Sequence, residues 1–319
     1  MKIKTLGWLL AATALASSAS VVACSQANVQ CQAAHSGQNL GFAAKYYPVG
    51  APGTCAIKGD EIGFETYHPP GGGDDGTQPD FSVPSGVALK TTAMGLLIAS
   101  KAKVGSTDPD GKNVENSDGS HVLAKHPAYS LGKFATVEPV NDFCEVVAPK
   151  PAEQSFPPVE AVPPDPKDPD DTGVPAAPAM SVKYEWSDVK VYVTAAAQGT
   201  QFSGHLKYTE NADATCSAEY DVVGVWPPVP CGVDKEVDDG MGGMKTITVP
   251  EASLCCPTAD PLGGRVTGSG INPDFPVKCD PDLLLCVLDT NDPSKLPVLS
   301  PGWEANTAAC KLTEGTAAP

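Results

Sequence analysis

The sequence predicts an all-β protein: an antiparallel sheet, folded as a sandwich or a partly open barrel, followed by a disulfide-rich, loop-dominated C-terminal region. Three observations predict it. Apolar residues recur at every second position in several stretches. The eleven cysteines of this 319-residue chain follow a start that reads as an export signal, and six of them lie beyond residue 230. Glycine (31) and proline (32) punctuate the chain throughout, as turns between short strands require.

The export signal comes first. Lys2 and Lys4 form a positive n-region, residues 6–16 an apolar core and residues 14–23 a run of small residues. That core is too short to span a membrane. The signal closes on Val21-Val22-Ala23-Cys24, which resembles the lipobox of bacterial lipoproteins. The resemblance covers residues 1–24 and names a sorting class rather than a fold. It implies cleavage before Cys24, a diacylglycerol on its thiol and a third acyl chain on the new amine. One chain binds a bilayer marginally, at about 0.8 kcal/mol per buried methylene, whereas two or more anchor stably. It also implies the outer membrane, since Ser25 rather than aspartate follows the cysteine.

With Cys24 reserved for lipid, an even set remains: Cys31, Cys55, Cys144, Cys216, Cys231, Cys255, Cys256, Cys279, Cys286 and Cys310. Even parity in an exported chain predicts disulfides, with a connectivity the sequence does not fix. The net charge of −17 becomes more negative once Lys2 and Lys4 are removed, and Arg265 is the sole arginine. Nucleic acid and polyanionic surfaces need clustered cations, so both are excluded as partners.

Residues 24–50 are small and polar and read as a tether, pinned if Cys31 pairs with Cys55. A β domain begins in 51–147. Its first strand is expected at Glu61–Tyr67, stopped by Pro69-Pro70 and a glycine-rich loop. Residues 86–104 are apolar without clean alternation and read as one long bent strand or a hairpin, and 129–147 as further strand. Residues 148–180 hold ten prolines and six acids, so they should be extended, as a linker between domains or an excursion between strands of one sheet. The excursion is preferred, because strand pattern resumes at once.

In 181–230 the pattern is clearest. Val182, Tyr184 and Trp186 share one strand face and Val189, Val191 and Val193 the opposite one, so the phase flips at Ser187-Asp188, which predicts a bulge or tight turn. Phe202, Leu206 and Tyr208, then Ala218, Tyr220 and Val222, alternate with polar residues as half-buried strands do. Residues 231–319 lack periodicity and cannot form a core unaided. Only Lys245–Val249 and Leu283–Leu288 read as core-forming. A cap held by cross-links is expected, each worth about 2–4 kcal/mol.

No catalytic frame emerges. Ser130-Leu131-Gly132-Lys133 and Ser187-Asp188-Val189-Lys190 fit S-x-x-K but lie in strand-like sequence, where lysine does not meet serine. His35, His68, His121, His126 and His205 have no metal frame around them. Gly224-Val225-Trp226 shares G-x-W with lipocalins but closes the last clear strand rather than opening a barrel, so that resemblance fails on position. Arg265, in a glycine-rich loop, could clamp a carboxylate or form an ion pair. Asp108, Asp110 and Asn113, and Asp289, Asn291 and Asp292, place oxygen ligands at short spacing, as calcium loops do, though neither set completes an EF-hand.

The sequence therefore predicts a lipid-anchored cell-envelope protein of structural or partner-binding type. Its membrane contact is the N-terminal lipid, with an envelope protein or glycan as its open partner and no cofactor evident beyond possible calcium. The rival readings are an anchored or secreted hydrolase using a carboxylate pair, and a calcium-stabilised adhesive module.

Overall fold

A computed structural model describes residues 29–34, 41–51, 56–72, 76, 78–103, 128–156, scattered positions within 158–179, and 180–211, 215–238 and 240–313. Cys24, Cys55, Asp108, Asp110 and Asn113 lie outside the described residues. In chain order the first strands are β1 (Gly41–Pro48), β2 (Gly59–Tyr67), β3 (Pro70–Gly72), β4 (Gln78–Pro79) and β5 (Gly86–Thr91). Helix α1 (Thr92–Lys103) follows, then β6 (Ser130–Phe134), β7 (Phe143–Val147), β8 (Ala152–Phe156), β9 (Met180–Val193), β10 (Gln198–Asn211) and β11 (Thr215–Val225).

The sheet closes on itself. Pairing runs β1-β2-β5-β6-β7-β9-β10-β11 and returns from β11 to β1, antiparallel throughout. Each stave thus neighbours the next one in sequence, as in an up-and-down barrel. Strand β8 lies along the first half of β9, Ala152 opposite Tyr184, while β7 lies along the second half, Phe143 opposite Tyr192. Together β7 and β8 make one interrupted stave. The proline-rich segment after β8 is accordingly a connection between neighbours in one sheet.

The bulge at Ser187-Asp188 is present and explains the phase flip. Ser203 pairs with Lys190 but His205 with Ser187, so β9 carries one extra residue there, and Asp188 adopts φ 51°. The extra residue turns Val189, Val191 and Val193 back to the side that Val182, Tyr184 and Trp186 occupy. All six are buried in the barrel interior.

That interior is filled by rings. Phe42, Phe64 and Phe202 meet at centroid distances of 5.2–5.9 Å, and Trp186 stands 6.5 Å from Phe202. A barrel of this size has room for its own side chains, and each buried aromatic contributes roughly 1.5–3 kcal/mol. Gly224 leaves the space for Phe202, its cross-strand partner: a Cβ there would lie 2.1 Å from the ring.

Both ends are closed. At one, residues 29–34 cross the mouth, with Cys31 bonded to Cys144, Cys31 N–H donating to Val137 O and Ala34 N–H to Gly199 O. At the other sits α1, which buries Met94 and packs Leu97 and Ile98 on the core. Its first turn is capped by Asp60, which accepts from Ala93 N–H, and by Thr91 Oγ1, which accepts from Met94 N–H.

Several expectations are corrected here. Residues 41–48, read as tether, are a barrel stave with Phe42, Ala43, Ala44 and Tyr46 buried, because small residues let the wall pass close under the cap. Cys31 bonds Cys144, not Cys55. The long bent strand of 86–104 is β5 plus α1. The missing alternation is the helix itself, with Met94, Leu97 and Ile98 at helical spacing.

The C-terminal region forms the cap, with β12 (Gly232–Asp238), β13 (Met244–Pro250), β14 (Val277–Cys279), β15 (Cys286–Leu288), a short helix α2 (Trp303–Asn306) and two 3₁₀ turns. Disulfides Cys231–Cys279, Cys255–Cys286 and Cys256–Cys310 hold it. Cys216 is also disulfide-bonded. Val287, Leu288 and Phe275 pack with Val223 and Val225 on the outer barrel wall. Strand β13, expected to be core-forming, is instead half of an exposed hairpin: Ile247 is 37% exposed, and Met241 at the tip 90%. Its alternation reflects strand pairing alone, with neither face covered.

Candidate functional site

Polar contacts latch the cap to the barrel. Lys45, on the outer face of β1, places its Nζ 2.7 Å from Asp280 Oδ2 and 3.8 Å from Asp282. Gln201, fully buried on the outer face of β10, donates to Val298 O at 2.9 Å and accepts from Val298 N–H at 3.0 Å. Asn272 donates to Ala196 O. The Gln201–Val298 pair draws the segment 293–298 along the wall without sealing it.

Between segment and wall runs a groove of about 400 Å³, adjoining a shallower one of about 230 Å³; Lys190, Ser203 and Ser294 line both. The wall supplies Phe143 and Glu145 from β7, Lys190 from β9, His205 from β10 and Asp221 from β11, while Pro293, Ser294 and Leu296 form the far lip. Two lining residues, Asn141 and Asp188, hold positive φ of 52° and 51°, a conformation that clusters at binding sites. The Asp188 bulge is what sets Lys190 and Ser203 opposite each other.

The groove carries more carboxylates than cations, with Glu145, Asp188 and Asp221 against Lys190. Lys190 Nζ lies 3.1 Å from Glu145 Oε1. His205 Nδ1 lies 3.2 Å from Asp221 Oδ1 and its Nε2 3.7 Å from Glu219 Oε2. Ser203, His205 and Asp221 are thus neighbours, yet both ring nitrogens face carboxylates, so the imidazole is not aimed at the serine as a base must be. What the groove offers is a set of hydroxyl, amide and paired ionic groups beside the Phe143 ring. The excess of carboxylates disfavours an anionic ligand. His205 is half-buried at the groove, where segment 293–298 passes over the wall.

A second polar cluster lies inside the α1 end of the barrel, where Tyr46 and Tyr184 lie near Asp60, Tyr46 packs on Tyr220 and Tyr184 on Tyr208. Burial pushes Tyr46, Tyr184 and Tyr208 well above the usual phenol range. Burial likewise raises the Asp60 carboxyl to about 6, against the lowering by its bonds from Ala93 and Glu61 N–H. Tyr208 donates to Glu210, and Tyr220 accepts from Ile57 N–H. Tyr184 and Trp186 are core residues, 4% and 5% exposed.

Several other residues singled out in the sequence make contacts within the fold. Asp289 pairs with Lys278 at 2.7 Å, and Asp292 pairs with Lys295 at 2.9 Å while accepting from Ser294; Asn291 is exposed beside them. Ser294 and Lys295 hold the Asp292 carboxyl below the usual range. Arg265 is buried in the cap and donates to Thr258 O and Ser253 O, so it ties two turns of backbone rather than clamping a ligand. Ser130 and Lys133, and Ser187 and Lys190, lie on strands. His68 accepts or donates at Ser85 Oγ, 2.8 Å away, and packs on Phe81. His35, His121 and His126 lie outside the described residues.

Comparison with known proteins agrees with this division into barrel and cap. A family model described as MlpA matches residues 40–227, which run from the start of β1 to just past β11 and omit the cap. A protein of Myxococcus xanthus described as "Putative lipoprotein MlpA" is 35% identical over 105 residues, 33% of this chain and 34% of that protein. The match thus spans about a third of the relative's length. No solved structure matches.

Proposed function

The chain belongs to the MlpA family, and from that premise we propose that it is a lipid-anchored envelope module that binds a neutral glycan in the groove between barrel and cap. The lipoprotein description of its relative supports the anchored class, and the lipobox nominates Cys24 as the acylated residue. The single observation that carries the binding role is the groove itself. It is concave, lined by hydroxyl, amide and carboxylate groups, edged by an aromatic ring and built on a rigid wall that disulfides and the Lys45–Asp280 latch hold in place.

The anchor also orients the molecule. From Cys24 to Val29 the chain can reach at most about 18 Å. Residues 29–34 close one barrel mouth, so that end faces the bilayer and the α1 end points away. Outer-membrane placement follows from Ser25 in the same reading.

The test has two arms. Cys24→Ala should move the protein from the membrane fraction to the soluble one and abolish incorporation of labelled palmitate. Retention of label by the variant would refute the anchor. For the ligand, the soluble variant is titrated with neutral oligosaccharides released from the envelope. Binding is expected, and Ser203→Trp, which fills the groove, should weaken it at least tenfold without changing the melting temperature. Binding indifferent to that change, or none at millimolar glycan, would refute the groove.

A further inference from the structure

We propose that the cap contains a thiol–disulfide exchange site, at which an incoming small thiol converts the pairs Cys231–Cys279 and Cys255–Cys286 into Cys231–Cys255 and Cys279–Cys286. The two native bonds lie side by side. The sulfurs of Cys231, Cys255 and Cys279 all fall within 4.8 Å of one another although they belong to different disulfides. Cys279 and Cys286, each bonded elsewhere, are directly opposite residues of the β14–β15 pair. Directly opposite antiparallel residues stand about 4.5–5.5 Å apart at Cα, inside the range a disulfide spans. Cys279 and Cys286 are thus within disulfide reach as the strands stand, and the Cys231 and Cys255 sulfurs are already neighbours.

An entry point exists. Of the six cap cysteines Cys279 alone is half-buried, the others being 0–5% exposed. A thiolate attacks Cys279 Sγ, forming a mixed disulfide and expelling the Cys231 thiolate. Cys231 then attacks the neighbouring Cys255 Sγ, forming Cys231–Cys255 and expelling the Cys286 thiolate. Cys286 attacks Cys279 Sγ across the strand pair, forming Cys279–Cys286 and returning the original thiolate. Three bonds form and three break, with no net oxidation, so the thiol acts catalytically.

The exchange alters what the cross-links hold. In the native pairing both ends of the hairpin segment 231–255 are bonded to β14 and β15. After exchange the hairpin is closed on itself, β14–β15 is closed on itself, and the arm bearing Met241 and Met244 loses its covalent tie to the strands beneath. Cys256–Cys310 is untouched and continues to hold the end of the chain.

The experiment treats the intact protein with substoichiometric reduced glutathione, alkylates, denatures in acid and digests with trypsin without reduction. No lysine or arginine separates Cys279 from Lys295, and Lys278 precedes it. Exchange therefore releases the peptide 279–295 free and internally bonded, two hydrogens lighter than its reduced form. That release is expected within the exposure, with Cys31–Cys144 and Cys256–Cys310 unchanged. The proposal is overturned if the peptide stays linked to the fragments holding Cys231 and Cys255, if Cys231 and Cys279 accumulate alkylated, or if Cys279 retains glutathione while Cys255–Cys286 survives.

Discussion

Replacing Lys45 by methionine should unlatch the cap at its ion pair with Asp280. Lys45 is 17% exposed and Asp280 6%, at 2.7 Å. Methionine keeps the length of the aliphatic stem, so the change removes charge rather than packing. Removing one partner of a buried pair costs about 3–5 kcal/mol, since the other charge is left in a poorly solvated place. Asp280 Oδ1 still accepts from Asp282 and Leu283 N–H at 3.0 and 3.1 Å, which points to the lower end, about 3 kcal/mol. At roughly 2–4 °C per kcal/mol, the melting temperature should fall by about 6–12 °C, measured with disulfides intact. Adding Asp280→Asn keeps the acceptor and removes the stranded charge, so the double variant should recover most of the loss, with a coupling of about 2 kcal/mol or more in a double-mutant cycle. A single-variant loss under about 0.5 kcal/mol, or no recovery in the double variant, would refute the latch.

Two further outcomes concern the barrel. Asp60 titrates near 6 in the fold against about 3.9 unfolded, so the folded state holds the extra proton between those values and stability falls as pH rises from about 4 to 6. Discounted for the partial exposure of the carboxyl, the penalty at pH 7 is about 1–2 kcal/mol. Asp60→Asn should relieve it while keeping an acceptor for Ala93 N–H, and urea midpoints that track wild type at both pH 4 and pH 7 would contradict this. Gly224→Ala places a methyl 2.1 Å from the Phe202 ring and should cost about 1–3 kcal/mol by overpacking, read as a lower denaturation midpoint; an unchanged midpoint would mean the ring moves freely.

Much of this protein was legible in the residues alone, because local chemistry decides it. Alternation at Phe202–Tyr208 and Ala218–Val222 marks half-buried strands, as period two always sorts residues between faces. The phase flip at Ser187-Asp188 marks the bulge, since an inserted residue is the one local way to return both valine and aromatic sets to one side. Cysteine parity marks the staples, and the lipobox marks the sorting class. Tertiary structure decided the rest. Closure of the ring depends on β11 meeting β1 across the whole chain, a pairing no window of sequence contains. Residues 41–48 became a stave rather than a tether because the wall and cap around them bury their small side chains. The end of β5 turned helical because Asp60, from β2, supplies a cap from outside the segment. Cys31 found Cys144 because the barrel mouth brings them to 5.5 Å at Cα, and the groove exists only because Gln201 and Lys45 draw the cap along the wall. Short-range pattern fixes which face each residue shows, whereas long-range packing fixes what that face meets.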